Sequence, residues 1–317
     1  MSIHLLSTIT AAYLVPFQVT AASLLASRRA STPVTWHVFE PDMSPEDRAA
    51  IEAGFDGTAV AIAWHRYAQS QLADLPLSGR AAPGMYERIF APDELPATLE
   101  RVVYLDADLL VLDAIDALWC TDLTGSVIGA VQDAVIPFVS SPMGLRRHRA
   151  LGLRPTAPYF NAGVLVMDLA AWRAHRVRER AFEYLRREAR SINLADQDAL
   201  NAVLHGRWAR LADRWNVVGG LTGRGRLEPK GVEPDRLAAA ARDPAIVHFS
   251  GHLKPWIYAR LGSRWADAYA DALREACPGY RVERSLTAAT VSFYDRRLRT
   301  LLQPLERLAW RTTRYLR

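Results

Sequence analysis

Cysteine is scarce. The two in the chain, Cys120 and Cys277, stand far apart, which excludes a disulfide framework and a thiolate zinc site and makes a reducing compartment, the cytoplasm, the default. Lysine is scarce too: only Lys230 and Lys254 among 39 basic residues, a bias that reflects a GC-rich genome rather than function. Long unbroken apolar runs are missing. Residues 3–26 come nearest, but they lack a basic leader, and Thr8, Thr10, Pro16, Gln18 and Thr20 interrupt them. Neither a secretory signal nor a spanning helix is expected. There is no internal repeat and no clear linker. What remains is ordinary globular composition: 317 residues, 50% hydrophobic and 23% charged. That is too apolar for disorder and long enough to bury a sizeable core.

The net charge of +5 is unevenly spread. Residues 296–317 hold seven arginines and one acid, Glu306, with Leu298, Leu301, Leu302, Leu305 and Leu308 at helical spacing. One reading is a basic amphipathic helix lying on an anionic membrane surface, which would make the protein peripheral on the cytoplasmic face of the membrane. The other is a helix packed back on the domain with its basic face solvated. Trp310 and Tyr315 near the end suit an interface and favour the first. No nucleic-acid partner is expected.

Strand and helix patterns alternate from the start. Strands are predicted over 3–9, 34–39 and 58–63, with helices over 12–25 and from Ser44 to about Ala53 between them. Ser44, Pro45 and Glu46 read as an N-cap, a proline at the first helical position and an acidic first turn. That order implies a parallel sheet covered on both faces. Further strands are predicted over 101–105, 126–131, 163–169 and 245–249. Further helices are predicted from Tyr86 toward Pro92, over 172–190, and from Asp196 through Leu204. Residues 219–231, rich in glycine and arginine, read as a loop.

Four segments carry chemistry. In Val102-Val103-Tyr104-Leu105-Asp106-Ala107-Asp108 an apolar strand ends in two carboxylates two residues apart. Extended backbone turns alternate side chains to one face, and like charges so close need a cation to neutralise them. Ligands of α/β sheets gather at the carboxyl ends of the strands, where this pair sits. A surface turn or a helix cap is the plainer explanation of the pair. In the segment from Ile246 to Trp256 a strand runs into His248, and a turn containing Gly251 then presents Lys254. Imidazole beside carboxylates favours Mn²⁺ over Mg²⁺. Gly251 permits close backbone approach to a phosphate, and Lys254 supplies a point charge for one. Tyr159-Phe160-Asn161-Ala162-Gly163 places small residues before a buried strand, leaving room for a ligand, although alone it reads as a turn. Asp196-Gln197-Asp198 opens a helix, where acids on the helix dipole are common.

Together, in order and spacing, these segments resemble the family 8 retaining glycosyltransferases, which include glycogenin and the bacterial lipopolysaccharide galactosyltransferases and glucosyltransferases. The bacterial type is the more similar, since it too carries a basic aromatic tail. The resemblance covers residues 3–256. It implies an α/β fold of the GT-A type, a Rossmann-like nucleotide-sugar domain with a mixed, mostly parallel sheet. That domain would span residues 1–260, with a helical, basic extension over 261–317. It implies a metal-dependent, retaining transfer of a hexose, galactose or glucose, from a UDP-linked or similar donor to a glycan or lipid-linked acceptor. Asp106, Asp108 and His248 would hold Mn²⁺, or Mg²⁺, on the donor diphosphate, with Ala107 between the acids. Gly251 and Lys254 would meet the diphosphate, and Arg88 the donor sugar and phosphates. Asn161, Ala162 and Gly163 would line the sugar pocket, and Asp133 would stand between donor and acceptor. Asp196 would bind sugar hydroxyls, and Gln197 would lie where a nucleophile is expected.

One departure stands out. The family follows its first strand with Asp-x-Asn-Tyr, which reads uracil and ribose. Here the segment is Thr10-Ala11-Ala12-Tyr13. Tyr13 can still stack on a base, but the charge-assisted hydrogen bond of the acid is gone. A non-uridine donor and a lapsed, donor-binding protein are therefore alternatives. A phosphatase of the haloacid dehalogenase type fits less well, because Leu110 stands where Thr or Val is needed. An inverting transferase would need Asp133 or Asp196 as its base.

Overall fold

Val102 and Tyr104 bury into one apolar layer, Val103 and Leu105 into another. A strand whose two faces are both buried belongs at the centre of a sheet, and this one does. The computed structural model describes residues 2–29, 31–76, 85–218, 233–251, 254–258, 261 and 263–282. Within them the strands are β1 (Ile3–Thr8), β2 (Val34–Glu40), β3 (Val60–Arg66), β4 (Arg101–Leu105), β5 (Leu109–Val111), β6 (Ile128–Gln132), β7 (Phe160–Asp168), β8 (Trp208–Arg210), β9 (Val217–Val218) and β10 (Ile246–His248). The helices are α1 (Leu14–Ser27), α2 (Pro45–Glu52), α3 (Glu87–Glu94), α4 (Asp116–Trp119), α5 (Leu169–Ala174), α6 (Val177–Glu188), α7 (Ala195–Val203), α8 (Pro234–Arg242) and α9 (Arg264–Ala276).

The main sheet runs β3-β2-β1-β4-β7-β6-β8. The first four strands are parallel, and β7 enters antiparallel between β4 and β6. This is the mixed, mostly parallel α/β sheet expected. A small sheet, β5-β10-β9, stands beside it, with β10 antiparallel to β5. Helix α1 packs Phe17, Ala21 and Leu24 into the layer shared with Leu5, Trp36 and Val103, and α7 packs Ala199 and Leu200 into the layer of Tyr104 and Leu165. The Ser44 cap is made as the sequence suggests, its hydroxyl accepting from the Asp47 N–H at 3.0 Å.

Three expectations need correction. Helix α3 continues through Pro92 to Glu94 rather than stopping before it. Arg173 gathers the carbonyls at the C-terminal end of α3, donating to Pro92 at 3.5 Å and to Leu95 and Pro96 just beyond it at 3.1 and 3.2 Å. The single helix expected over 172–190 is two, α5 and α6, broken at Arg176, whose φ of 50° no helix accommodates. Strand β7 begins at Phe160 rather than Gly163, so Asn161 and Ala162 lie inside it rather than ahead of it. The register of β6 shifts at Ala130/Val131 opposite them, a bulge of the sort that re-aims side chains beside active sites.

Helix α9 starts at a cap in which the Ser263 hydroxyl accepts from Trp265 and Ala266. Tyr269 and Leu273 pack on Val19, Val247, Phe249 and Trp256 in a third apolar cluster. Among the described residues no helix is long and apolar enough to cross a membrane. The glycine-rich loop over 219–231 and the basic tail over 296–317 lie outside the described residues.

Candidate active site

Strand β4 stops at Leu105, whose carbonyl accepts the Ser7 hydroxyl at 2.7 Å. The turn that follows carries Asp106, Ala107 and Asp108 before β5 begins. Thr20 of α1 binds the backbone of that turn through the Ala107 carbonyl at 2.9 Å and the Leu109 N–H at 3.1 Å. The antiparallel register of β10 on β5 sets His248 opposite Leu109, and the Phe249 N–H donates to the Asp108 carbonyl at 3.0 Å. Sheet pairing alone therefore delivers a histidine from far along the chain to the two acids. His248 Nε2 lies 3.5 Å from Asp106 Oδ2 and 3.3 Å from Asp108 Oδ1. One ligand atom from each of the three residues fits within 4.8 Å of the others, close enough to share a metal ion.

The packing around this trio is tight. A Cβ on Gly163 would sit 2.3 Å from His248 Cε1 and 2.8 Å from Asp106 Oδ2. Glycine is required there by space. Arg88 bridges two carboxylates, pairing with Asp106 at 2.8 Å and Asp196 at 2.7 Å, and donates to the Ala162 carbonyl at 2.8 Å. Its guanidinium also lies over the Tyr104 ring, and the Tyr104 hydroxyl donates to Asp106 at 2.8 Å. Lys254 reaches Asp108 at 2.5 Å and the Phe249 carbonyl at 2.8 Å.

These contacts set the charges. Burial works against ionising Asp108, but Lys254 and then His248 outweigh it and hold that carboxyl well below its ordinary range. Burial likewise opposes the Lys254 charge, and Asp108 more than restores it. Asp196 goes the other way. Burial lifts it to about 6, against the pull of Arg88. It lies in the first turn of α7, just after Ala195, whose φ of 21° is strained for a residue with a side chain. The neighbour of Arg88, Glu87, is buried, takes a hydrogen bond from the Tyr67 hydroxyl, and is raised by burial to about 7.

Behind the trio runs a buried amide network. Asp133 Oδ1 accepts the N–H groups of Val135 and Ile136 at 2.8 and 2.9 Å, and its Oδ2 accepts Asn161 Nδ2 at 3.0 Å and Gln197 Nε2 at 3.2 Å. Gln197 Oε1 accepts the Ala162 N–H at 3.0 Å. Asp198 instead fastens the loop before α7, taking the Tyr159 hydroxyl and the N–H groups of Asn193 and Leu194.

The turn after β1 is different. Thr10 is extended and half-buried, and Ala11, Ala12 and Tyr13 are exposed. The Tyr13 ring meets Trp256 edge-on, with centroids 6.0 Å apart. The Ala11 N–H donates to Asp42 at 3.0 Å, so a carboxylate does stand beside this turn, but it comes from the loop after β2. Gly251 is exposed, with a φ of +88° that favours glycine. Among the described residues, no hydrogen bond links Thr10 or Gly251 to the metal-ligand trio.

Against this fold and geometry, the model of glycosyl transferase family 8 matches residues 4–259. The chain belongs to that family. Family 8 membership makes it a glycosyltransferase. It is 27% identical over 237 residues to general stress protein A of Bacillus subtilis, covering 74% of this chain and 80% of that one. It is 29% identical over 195 residues to the lipopolysaccharide 1,2-glucosyltransferase of Escherichia coli, covering 62% and 55%. For most such family relatives the chain spans about half of their length. Among solved structures, the galactosyltransferase LgtC in complex with donor and acceptor sugar analogs superposes with a TM-score of 0.71 at 24% identity, over 89% of this chain and 98% of that one. That likeness establishes the GT-A fold.

Several residues around the trio carry no signal in the sequence. Asn216 precedes a two-residue strand and carries no pattern that marks it. Glu87 and Tyr67 look like ordinary surface residues until the fold buries them. Tyr104 sits in the acidic motif and was legible only as a strand residue.

Proposed function

We propose that this family member transfers a hexose, galactose or glucose, from a nucleoside diphosphate sugar to a glycan or lipid-linked acceptor of the lipopolysaccharide type. One observation carries the reading: Asp106 and Asp108 from one turn and His248 from a strand far along the chain bring ligand atoms within 4.8 Å of one another. The donor set of two carboxylates and an imidazole fits Mn²⁺ better than Mg²⁺. A divalent cation held there would neutralise charge building on the leaving diphosphate. Lys254 adds a fixed positive charge beside the same site. Arg88, tied to both Asp106 and Asp196, holds the metal end and the sugar end in one frame.

Retention of configuration is part of the proposal. Gln197 has its carbonyl oxygen on the Ala162 N–H and its amide nitrogen on Asp133. An amide so engaged is a poor nucleophile, which supports same-face attack by the acceptor hydroxyl, with the departing phosphate taking its proton. Asp133 has both oxygens occupied, and this argues for a positioning role over that of a general base. The relative from Escherichia coli and the basic residues of the tail support a lipid-linked acceptor and a peripheral place on an anionic membrane.

Replacing Asp106 with Asn is expected to abolish Mn²⁺-dependent transfer and donor hydrolysis, measured with UDP-, GDP- and ADP-hexoses. Wild-type turnover in that variant would overturn the reading.

A further inference from the structure

His248 has two ring nitrogens, and only a deprotonated one can face a cation. Which one carries the proton is dictated from some distance away. Asp133 is the starting point, because a carboxylate only accepts. Asn161 must therefore turn its NH₂ toward Asp133 Oδ2, at 3.0 Å. That leaves Asn161 Oδ1 pointing the other way, where it also accepts the Gly163 N–H at 2.9 Å. Asn216 must then present its own NH₂ to Asn161 Oδ1, at 2.9 Å, and so its oxygen to His248 Nδ1, at 3.0 Å. An oxygen opposite Nδ1 requires a proton there. Nε2 is left facing Asp106 and Asp108.

Each link is buried. Asp133, Asn161, Asn216 and His248 are all 4 to 6% exposed. Reversing one amide would set NH₂ against NH₂, or carboxylate against carbonyl, with no water to relieve it. The direction is thus over-determined: Asp133 fixes one end and the Gly163 N–H fixes the middle.

We infer that Asp133 is a positioning residue for the metal site, acting through Asn161 and Asn216 to hold the Nδ1–H form of His248. The inference rests on the metal reading proposed above, and adds to it that a residue of the amide network behind the trio controls the cation side. Outer partners of a metal-bound histidine typically matter about 10- to 100-fold in metal affinity.

The test uses Mn²⁺ alone, titrated into the full chain and followed by the free-ion electron paramagnetic resonance signal, with circular dichroism to verify folding. Asn216→Leu is expected to weaken Mn²⁺ by about 10- to 100-fold. Asp133→Asn, which touches no ligand atom but sets an NH₂ against either the Asn161 and Gln197 amides or the Val135 and Ile136 N–H groups and so strains the relay, is expected to weaken it by several-fold. The double variant should be no weaker than Asn216→Leu alone, because both changes act through one path. An unchanged Mn²⁺ affinity in Asp133→Asn would overturn the relay, as would losses that simply multiply in the double variant. Should Asn216→Leu not fold, Asp133→Asn still decides. Absence of Mn²⁺ binding by the wild-type chain would instead sink the metal reading itself.

Discussion

The two ends of the proposed donor site are built in opposite ways. At the metal end, four strands from two sheets set the trio and the glycine beside it. The β10–β5 register places His248, β4 places the two acids, β7 supplies Gly163, and Arg88 ties the acids to Asp196. Asp108, Asp196 and His248 are buried, and the side chains of Arg88 and Asp106 are 14 and 15% exposed and paired with each other. At the base end the residues sit in an exposed turn after β1, backed by a second loop after β2. A site pinned by register changes only with the whole sheet, whereas an exposed turn can change one side chain at a time. This contrast accounts for a chain that keeps Asp106, Asp108 and His248 while Thr10 and Ala12 depart from the family pattern.

The largest effect that would break this comparison comes from one substitution made at the metal end and, as a control, at a glycine outside both ends. Gly163→Ala puts a methyl group 2.3 Å from the His248 ring. Crowding of that kind costs about 1–3 kcal/mol of stability, and displacing the imidazole should reduce transfer by about a hundredfold or more, since misplacement by about 1 Å is worth that much. Gly54→Ala, in the loop between α2 and β3, meets nothing within 4 Å and lies outside the positive-φ glycines. It should leave activity unchanged and raise the melting temperature slightly. Parallel activity and melting measurements on the two variants check this, and comparable losses in both would show that the metal end is no more tightly pinned than an open surface position.

A smaller effect is expected at the base end. Thr10→Asp restores a charged acceptor where the family has one, and should tighten UDP by about tenfold, the worth of one charge-assisted hydrogen bond. GDP and ADP should not gain. Calorimetry with the three diphosphates reads the difference. Asp42→Asn in the same chain removes the like charge beside the new acid and should preserve the gain.

How far the sequence reaches follows the same division. The run from β1 to β3 was legible because its strands alternate and Ser44-Pro45-Glu46 caps a helix. The acidic motif was legible because it ends an apolar strand, and the other segments because their order resembles a family. Short elements were not: β5, β8 and β9 have two or three residues each, too few for any periodicity. Arg176 breaks a helix without glycine or proline to announce it. The start of β7 was hidden because Asn161-Ala162-Gly163 looks like a turn and becomes strand only when paired with β4 and a bulged β6. Asn216, Glu87 and Tyr67 gain their roles from partners distant in sequence, and no local pattern encodes that.

The smallest effect widens the comparison to acidity, with the β1–β3 edge of the main sheet as one end and the site around Asp196 as the other. On β1, β2 and β3, His4, His37 and His65 form a ladder with nitrogen contacts of 3.1 and 3.0 Å. Burial, then the neighbouring His65 and His4, push His37 down to about 4 from 6.5. Between those values the unfolded chain takes a proton that the folded chain refuses, so this half loses stability as pH falls from about 6.5 to 4. Asp196 at the other end is raised from 3.8 to about 6. Over nearly the same window the folded chain takes a proton there that the unfolded chain does not, and stability is gained as pH falls. The two slopes oppose. His37→Gln should therefore make the chain lose less stability on going from pH 6.5 to 4.5, and Asp196→Asn should make it lose more. Urea midpoints at the two pH values measure both, and slopes that move in the same direction would show that the two ends do not titrate as separate regions.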